Sequence, residues 1–335
     1  MTNPVLVEVT RGGIVESRHR GAIAVVDASG GRVVAIGDVE APVFPRSAVK
    51  AIQALPLVES GAADAYGFGA AELALASASH SGEPRHVQTV TAMLAAAGRS
   101  VVDLECGVQI PMSSLADRML LRGDHLPSPL HNNCSGKHAG FICTACHLGV
   151  DPKGYVLPDH PIQRAVTAAL AELTGAELGA ANRGIDGCSI PAYAIPLDRL
   201  ARAFARMGTG EGLGPARAAA AKRILESCMA EPFMVAGSGR FDTDVMPLFP
   251  GHLFVKGGAE GVYCGAFPEA GFGIAIKIDD GASRASEVAM AAVIASRLTP
   301  SDDAARTAFA RWLAPPVRNR RGIAELLDAL ARGAG

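Results

Sequence analysis

Val5, Val7 and Val9 alternate with neighbours of other character, and two apolar runs, residues 23–26 and 33–36, flank the turn Ala28-Ser29-Gly30-Gly31. Period-two alternation around a glycine-bearing turn predicts strands, so residues 5–37 read as a hairpin that opens a sheet. From about Pro45 to Met229 the pattern turns helical and alanine-rich, with helices expected over 87–97, 115–121, 161–173, 197–207 and 216–229. Short β-rich runs return at 253–256, 261–264 and 271–277, separated by glycine-bearing turns, and helices are expected over 283–298 and 303–313. Strands from the two chain ends can pair into one sheet with the helical middle inserted. That predicts an α+β fold, with residues 1–45 and 231–335 forming the sheet part and 46–230 a largely helical insertion.

Composition narrows the function classes. The 335 residues carry 31 Lys+Arg against 33 Asp+Glu, a net charge of −2, with no basic block and 5% aromatic residues. Neither an electrostatic grip on nucleic acid or anionic membrane nor a base-stacking platform is expected. Seven cysteines, an odd number scattered without a secretory framework, point to a reducing compartment. Residues 1–8 lack a basic and then apolar leader pattern, and no apolar run is long enough to span a bilayer. The expectation is a soluble, cytoplasmic protein.

Four constellations could carry chemistry. In the first, Pro45-Arg46-Ser47-Ala48-Val49-Lys50, Ser47 and Lys50 lie i, i+3 at a helix start. A lysine can take a serine proton when burial and nearby positive charge lower its pKa, although a surface Ser and Lys at a helix start is the commoner meaning of that four-residue pattern taken alone. The second, Ser77 to His86, packs three hydroxyls, two imidazoles and a carboxylate after an apolar run, and suits either a site or a capped helix start. The third, His131 to Phe141, places Cys134 at a helix start, where a thiol loses its proton easily, with Lys137 on the same face. A buried structural cysteine fits there too. Downstream, Asp186-Gly187-Cys188 supplies a second thiol beside a carboxylate. The fourth, Lys256-Gly257-Gly258, ends an apolar strand in the manner of the K-T-G element of serine β-lactamases. Cys143-Thr144-Ala145-Cys146-His147 matches the C-x-x-C-H pattern of haem attachment, but it runs inside an apolar helical stretch and is read as structural.

Taken together these residues resemble the asparaginase family of the Rhizobium etli type, also called asparaginase II. The likeness spans nearly the whole chain and includes Pro45-Arg46-Ser47 to Lys50, Ser79-His80-Ser81-Gly82-Glu83-Pro84, Cys106-Gly107, His131 to Gly140, Asp186-Gly187-Cys188, Gly239-Arg240-Phe241-Asp242-Thr243 and Lys256 to Tyr263. It implies a serine β-lactamase-like fold, a homodimer, and hydrolysis of L-asparagine to L-aspartate and ammonia. It further implies two catalytic serine–lysine tandems, Ser47 with Lys50 and Ser79 with Lys256, and a zinc ion on Cys134, Lys137 and Cys188. Arg46, His138 and Asp186 match the substrate-binding shell. Ala51, Ala78 and Gln109 depart from the residues usual in the family and leave every candidate catalytic group in place. Two alternatives stand beside this reading. One is another β-lactamase-like acyl-serine amidohydrolase or peptidase, against which the absence of a Ser-Asp-Asn triplet counts. The other is a non-catalytic zinc- or amino-acid-binding relative.

Overall fold

The computed structural model describes residues 2–318 and 324–329. The strands in chain order are β1 (Val5–Arg11), β2 (Ile14–Asp27), β3 (Arg32–Ile36), β4 (Pro42–Val43), β5 (Arg183–Ile185), β6 (Pro191–Tyr193), β7 (Ile195–Pro196), β8 (Phe254–Gly257), β9 (Val262–Phe267), β10 (Phe272–Ile278), β11 (Pro316–Arg318) and β12 (Ala324–Ala329). The main sheet is antiparallel in the order β11-β12-β1-β2-β10-β9-β8, with β3 also paired to β2. Strands from both ends of the chain thus share one sheet, and helices fill the sequence between them. This is the α+β arrangement that the hydrophobic pattern predicts.

All six residues of β9 are buried, and a strand buried at every position needs cover on both faces. The helices Leu197–Thr209 and Ser283–Arg297 both pack against β9 and β10. The first turns Leu197, Leu200, Ala201, Phe204 and Met207 inward, and burial of each large aliphatic or aromatic side chain contributes roughly 1.5–3 kcal/mol. Its close seat depends on Gly273, where a Cβ would lie 1.9 Å from the Ala201 carbonyl oxygen.

The helix Ser135–His147 is buried from Ser135 through Ala145. A helix surrounded on all sides belongs in the interior, and here it carries the polar side chains of Lys137 and His138 inward with it. Two small ribbons, β5 with β6 and β4 with β7, interrupt the helical middle. The sequence pattern does not predict them, because strands of two or three residues containing Pro and Gly show no alternation. They matter nonetheless, since the β5–β6 hairpin presents Asp186 and Cys188. No helix among the described residues is long and apolar enough to cross a membrane.

Candidate active site

Pro45 opens a 3-10 turn, Arg46–Val49, that passes into the short helix Lys50–Gln53. Ser47 lies half-buried in that first turn, and the N–H of Ala48 after it donates to the Pro45 carbonyl at 3.0 Å. Lys50 points into the interior and is fully buried. Its Nζ donates to the Ala78 carbonyl at 2.6 Å, to Ser79 Oγ at 2.9 Å and to the Asn133 carbonyl at 3.4 Å. The Lys50 backbone N–H donates to the Ser47 carbonyl, but among the described residues no hydrogen bond joins the two side chains, so the side-chain bond that the structure shows runs to the other serine. Burial pushes the Lys50 ammonium below its usual range, and the charge of Lys137 adds to the effect.

Lys256 stands at the edge of the sheet on β8, also fully buried, and its Nζ donates to the Gly257 carbonyl at 2.6 Å. Burial pushes its pKa down to about 7, against the opposing pull of Asp242. The next residues bring this strand to the Ser47 turn. A Cβ at Gly258 would lie 2.7 Å from the Pro45 carbonyl oxygen and 3.1 Å from Ala48 N, so only glycine allows that approach. Asp242 accepts from Gly257 N at 2.9 Å and from Tyr263 Oη at 2.8 Å.

The two thiols meet beside these lysines. Cys134 precedes the helix Ser135–His147, and its sulfur is held well below the usual thiol range by a hydrogen bond from Cys188 and by the charges of Lys137 and Lys50. Cys188 is raised in turn, because its S–H is donated to Cys134 and because it is buried. Lys137 Nζ lies 3.2 Å from Cys188 Sγ; burial favours its neutral form, but the two sulfurs and Asp186 outweigh burial and hold the ammonium above its usual range.

Two histidines flank the centre, each neutral because burial lowers its pKa. His80 Nδ1 accepts from Gly82 N at 3.2 Å, so its proton sits on Nε2, 2.9 Å from Ser135 Oγ. His138 Nδ1 lies 2.7 Å from Tyr155 Oη, which itself accepts from Glu105 N at 2.8 Å. The Tyr155 hydroxyl therefore donates to Nδ1, leaving His138 Nε2–H as a buried donor without a partner. Toward solvent, Arg46 Nε donates to Asp186 Oδ1 at 2.6 Å. Burial would raise the Asp186 carboxyl, but Lys137 and Arg46 overcome it and keep the group ionised. Arg46 has φ 51° and Ser189, just past Cys188, has φ 75°, a left-handed conformation that costs non-glycine residues of order 1–3 kcal/mol and that concentrates at functional sites. Beyond Arg46 opens a cleft of about 530 Å³, bordered by Phe44, Ile185, Glu260 and Lys277.

Residues 7–325 match the family model described as L-asparaginase II. The chain belongs to the L-asparaginase II family. No curated protein matches it. Among solved structures it is similar to a β-lactamase from Mycobacterium bovis (14% identity over 82% of this chain and 94% of that one, TM-score 0.38). It is also similar to simvastatin synthase from Aspergillus terreus (12%, 88% and 92%, TM-score 0.40) and to Mglu in its native form (17%, 90% and 70%, TM-score 0.38). All three superpose at TM-scores below 0.5, so the assignment rests on the family match.

In this asparaginase-type amidohydrolase the elements bring Ser79, Lys50, Cys134, Lys137, Cys188 and His138 into one buried cluster, with Arg46 and Asp186 at its outer side. Ser47 lies on the same turn as Arg46, and Lys256 is delivered by the edge strand. Sequence reasoning missed Asn133, whose carbonyl receives Lys50, and Tyr155, which fixes the His138 tautomer. Backbone carbonyls leave no sequence signal, and Tyr155 sits in a turn with no motif around it. Asp242 lies in one of the matched motifs, yet nothing in the sequence shows that it holds Gly257. The C-x-x-C-H segment lies in the helix Ser135–His147, with Cys143 buried and 3.3 Å from the Met93 carbonyl and His147 bonded to the Ser60 carbonyl at 3.0 Å. Cys143 is committed to packing, while His147 is exposed and tied to a backbone carbonyl.

Proposed function

We propose that this protein is an L-asparaginase that hydrolyses L-asparagine to L-aspartate and ammonia through a serine acyl-enzyme. The observation that carries the reading is the buried Lys50, bonded to Ser79 and one helical turn from the half-buried Ser47. Ser47 Oγ attacks the side-chain amide carbon, and its proton passes to the Lys50 and Ser79 pair. The tetrahedral intermediate collapses as that proton moves to the departing nitrogen, releasing ammonia and leaving an ester on the serine. Water then attacks the ester carbon and gives its proton to the same base, which returns it to the serine as aspartate leaves. The backbone N–H of Ser47 suits the developing oxyanion, and Lys256, neutral above about pH 7, supports proton movement at Ser79. Arg46 suits the substrate carboxylate, Asp186 its ammonium, and the unpartnered His138 Nε2–H a substrate oxygen.

A second assignment exchanges the serines. The 2.9 Å contact favours Ser79 as the hydroxyl that Lys50 deprotonates, whereas the greater exposure of Ser47 favours it as the group that substrate reaches. Mass spectrometry of the trapped acyl-enzyme tells them apart.

For zinc, the donor set is suitable. Two sulfurs are buried here, with the Cys134 thiol held well below its usual range, and an amine lies 3.2 Å from the Cys188 sulfur. Among the described residues no trio of His, Cys, Asp or Glu converges, and the third donor that the family resemblance implies is Lys137, which must give up its proton to bind. Cys134, Cys188 and Lys137 would hold the ion, which supplies a Lewis acid to anchor the polar end of the substrate. We also assign the protein to the cytoplasm as a homodimer; its seven free cysteines favour a reducing compartment. Ammonia release from L-asparagine by purified protein, measured beside L-glutamine and a β-lactam, tests the reading, and turnover of the β-lactam alone would replace it.

A further inference from the structure

Of the fourteen large apolar side chains left exposed in the described residues, eight lie between residues 102 and 126. Within this stretch the helix Ser114–Arg122 turns Ala116 inward and leaves Leu115 and Met119, one turn apart, in solvent. Met119 joins Pro84, Val87 and His131 around a groove of about 310 Å³. Val108, Ile110 and Met112 continue the apolar surface on the chain leading into the helix. That segment is pinned in place: Ser113 N donates to the Ser81 carbonyl at 3.0 Å, and Asn133 Nδ2 lies 3.6 Å from Met112 Sδ.

Two features say what covers this surface. Each aliphatic side chain carries roughly 60–120 Å² of apolar area, so the seven from Val108 to Leu126, at half to nine-tenths exposure, present on the order of 500 Å². A patch of that size matches the largest that a chain ordinarily exposes, and such patches commonly mark a binding surface. It is also what one side of a stable dimer contributes, since about 800 Å² per partner at about 60% apolar comes to roughly 500 Å². The charges are the second feature. Asp117, Arg118, Arg122 and Asp124 sit on or just after the exposed helix, and among the described residues none of them forms an ion pair. Two acids and two bases on one short element are complementary to themselves, as a two-fold axis demands, and they offer no excess of either sign to an anionic membrane or a highly charged partner.

We propose that the surface of residues 108–126 is where two copies of this chain meet. The inference rests on the homodimer reading above and locates its interface. It also couples assembly to the site. Asn133, held by Met112 and by Gln109 Oε1 at 3.3 Å from its N, presents the carbonyl that receives Lys50 Nζ. Burying the face therefore braces the wall against which the lysine is held.

Light scattering of the full chain tests this. Wild type is expected at twice 34.4 kDa, and the double variant Leu115→Glu/Met119→Glu at the monomer mass, with dimer affinity at least 100-fold weaker and an unchanged circular dichroism spectrum. Arg118→Asp/Arg122→Asp, which makes the helix wholly acidic without touching an apolar group, should weaken association at least tenfold and serves if the first variant fails to fold. Ile14→Glu, on an equally exposed residue elsewhere, should leave the dimer intact. A wild-type dimer undisturbed by both surface variants would overturn the location and leave the homodimer reading standing. Wild type that is monomeric throughout the micromolar range would overturn both, and such a monomer floating with lipid vesicles would give the face to a membrane instead.

Discussion

Lys50 Nζ sits 2.9 Å from Ser79 Oγ while two carbonyls, of Ala78 and Asn133, occupy its other directions. A neutral amine has two N–H donors and one lone pair. The carbonyls take the donors, so the lone pair faces the serine hydroxyl and can receive its proton. Burial, which lowers the Lys50 pKa, favours that neutral form.

Ser47→Ala, Lys50→Met and Ser79→Ala are each expected to lower kcat by about 10³-fold or more, and the double variant Ser47→Ala/Lys50→Met to be no worse than either single one, because groups acting as a unit lose their effect together. Stopped-flow ammonia release with a circular dichroism control measures this. Strictly multiplicative losses would mean that the serine and the lysine act independently.

Lys256 makes the rate depend on pH. Its pKa, pushed down to about 7, means that the amine becomes neutral above pH 7, so kcat/KM should rise through that pH, and the inflection should vanish in Lys256→Met. Stability follows the same group. Between about pH 7 and the unfolded value near 10.4 the unfolded chain binds more protons, so stability rises with pH across that window, while below it the lysine imposes its full cost independently of pH. Lys256→Met should therefore raise stability by up to a few kcal/mol at pH 6 and by progressively less toward pH 10. Urea melts at several pH values give the comparison, and a flat difference would show that Lys256 does not titrate in this range.

Much of this fold is legible in the sequence because its signals are local. Alternation at Val5, Val7 and Val9 and the run Phe272–Ile278 give strands, and Pro161 at the first position of Pro161–Thr174 marks a helix start. The members of the site were legible through their motifs. Their partners were not. Ser47 and Lys50 are three residues apart, yet Lys50 bonds to a serine 29 residues away; Cys134 reaches a thiol 54 positions on; His138 is oriented by Tyr155. Such pairings are set by how helices and hairpins pack, and no spacing rule encodes them.

The thiol pair gives a metal prediction. Wild type should carry about one zinc per chain by elemental analysis, and Cys134→Ala/Cys188→Ala essentially none. Chelation should leave the far-UV spectrum intact while raising KM for asparagine more than it lowers kcat, since the serine supplies the nucleophile. Equal zinc in the two proteins would remove the ion from these residues.

Gly258→Ala tests the contact between the edge strand and the serine turn. The new methyl would meet the Pro45 carbonyl oxygen at 2.7 Å, and relief requires β8 or the Ser47 turn to move. Overpacking of this kind costs typically 1–3 kcal/mol, and a displacement beside the nucleophile should lower kcat by about 100-fold. A variant of wild-type rate would mean that the approach of the two segments is irrelevant to turnover.

Asp242 offers the sharpest test of how Lys256 is held. On an edge strand, N–H groups that point away from the sheet have no strand to bond. The outward N–H of Gly257 is taken by Asp242 Oδ1, while Oδ2 receives the Tyr263 hydroxyl. The carboxylate is buried, so it both fixes the backbone beside Lys256 and supplies the negative charge that opposes the effect of burial on that lysine. Asp242→Asn retains an acceptor for Gly257 and loses the charge. Lys50, Arg240 and the Cys134 sulfur also act on Lys256, but they remain in place in the variant, so any change reports Asp242. The inflection near pH 7 is then expected to move to lower pH, because less positive character is stabilised on Lys256, with kcat reduced about tenfold and KM little changed. Asp242→Ala, which also frees the Gly257 N–H and the Tyr263 hydroxyl, should in addition lower folding stability in urea melts by about 1–3 kcal/mol for each buried donor left unpaired. A rate profile in Asp242→Asn that keeps its inflection at pH 7 would show that this carboxylate braces the strand without tuning the lysine.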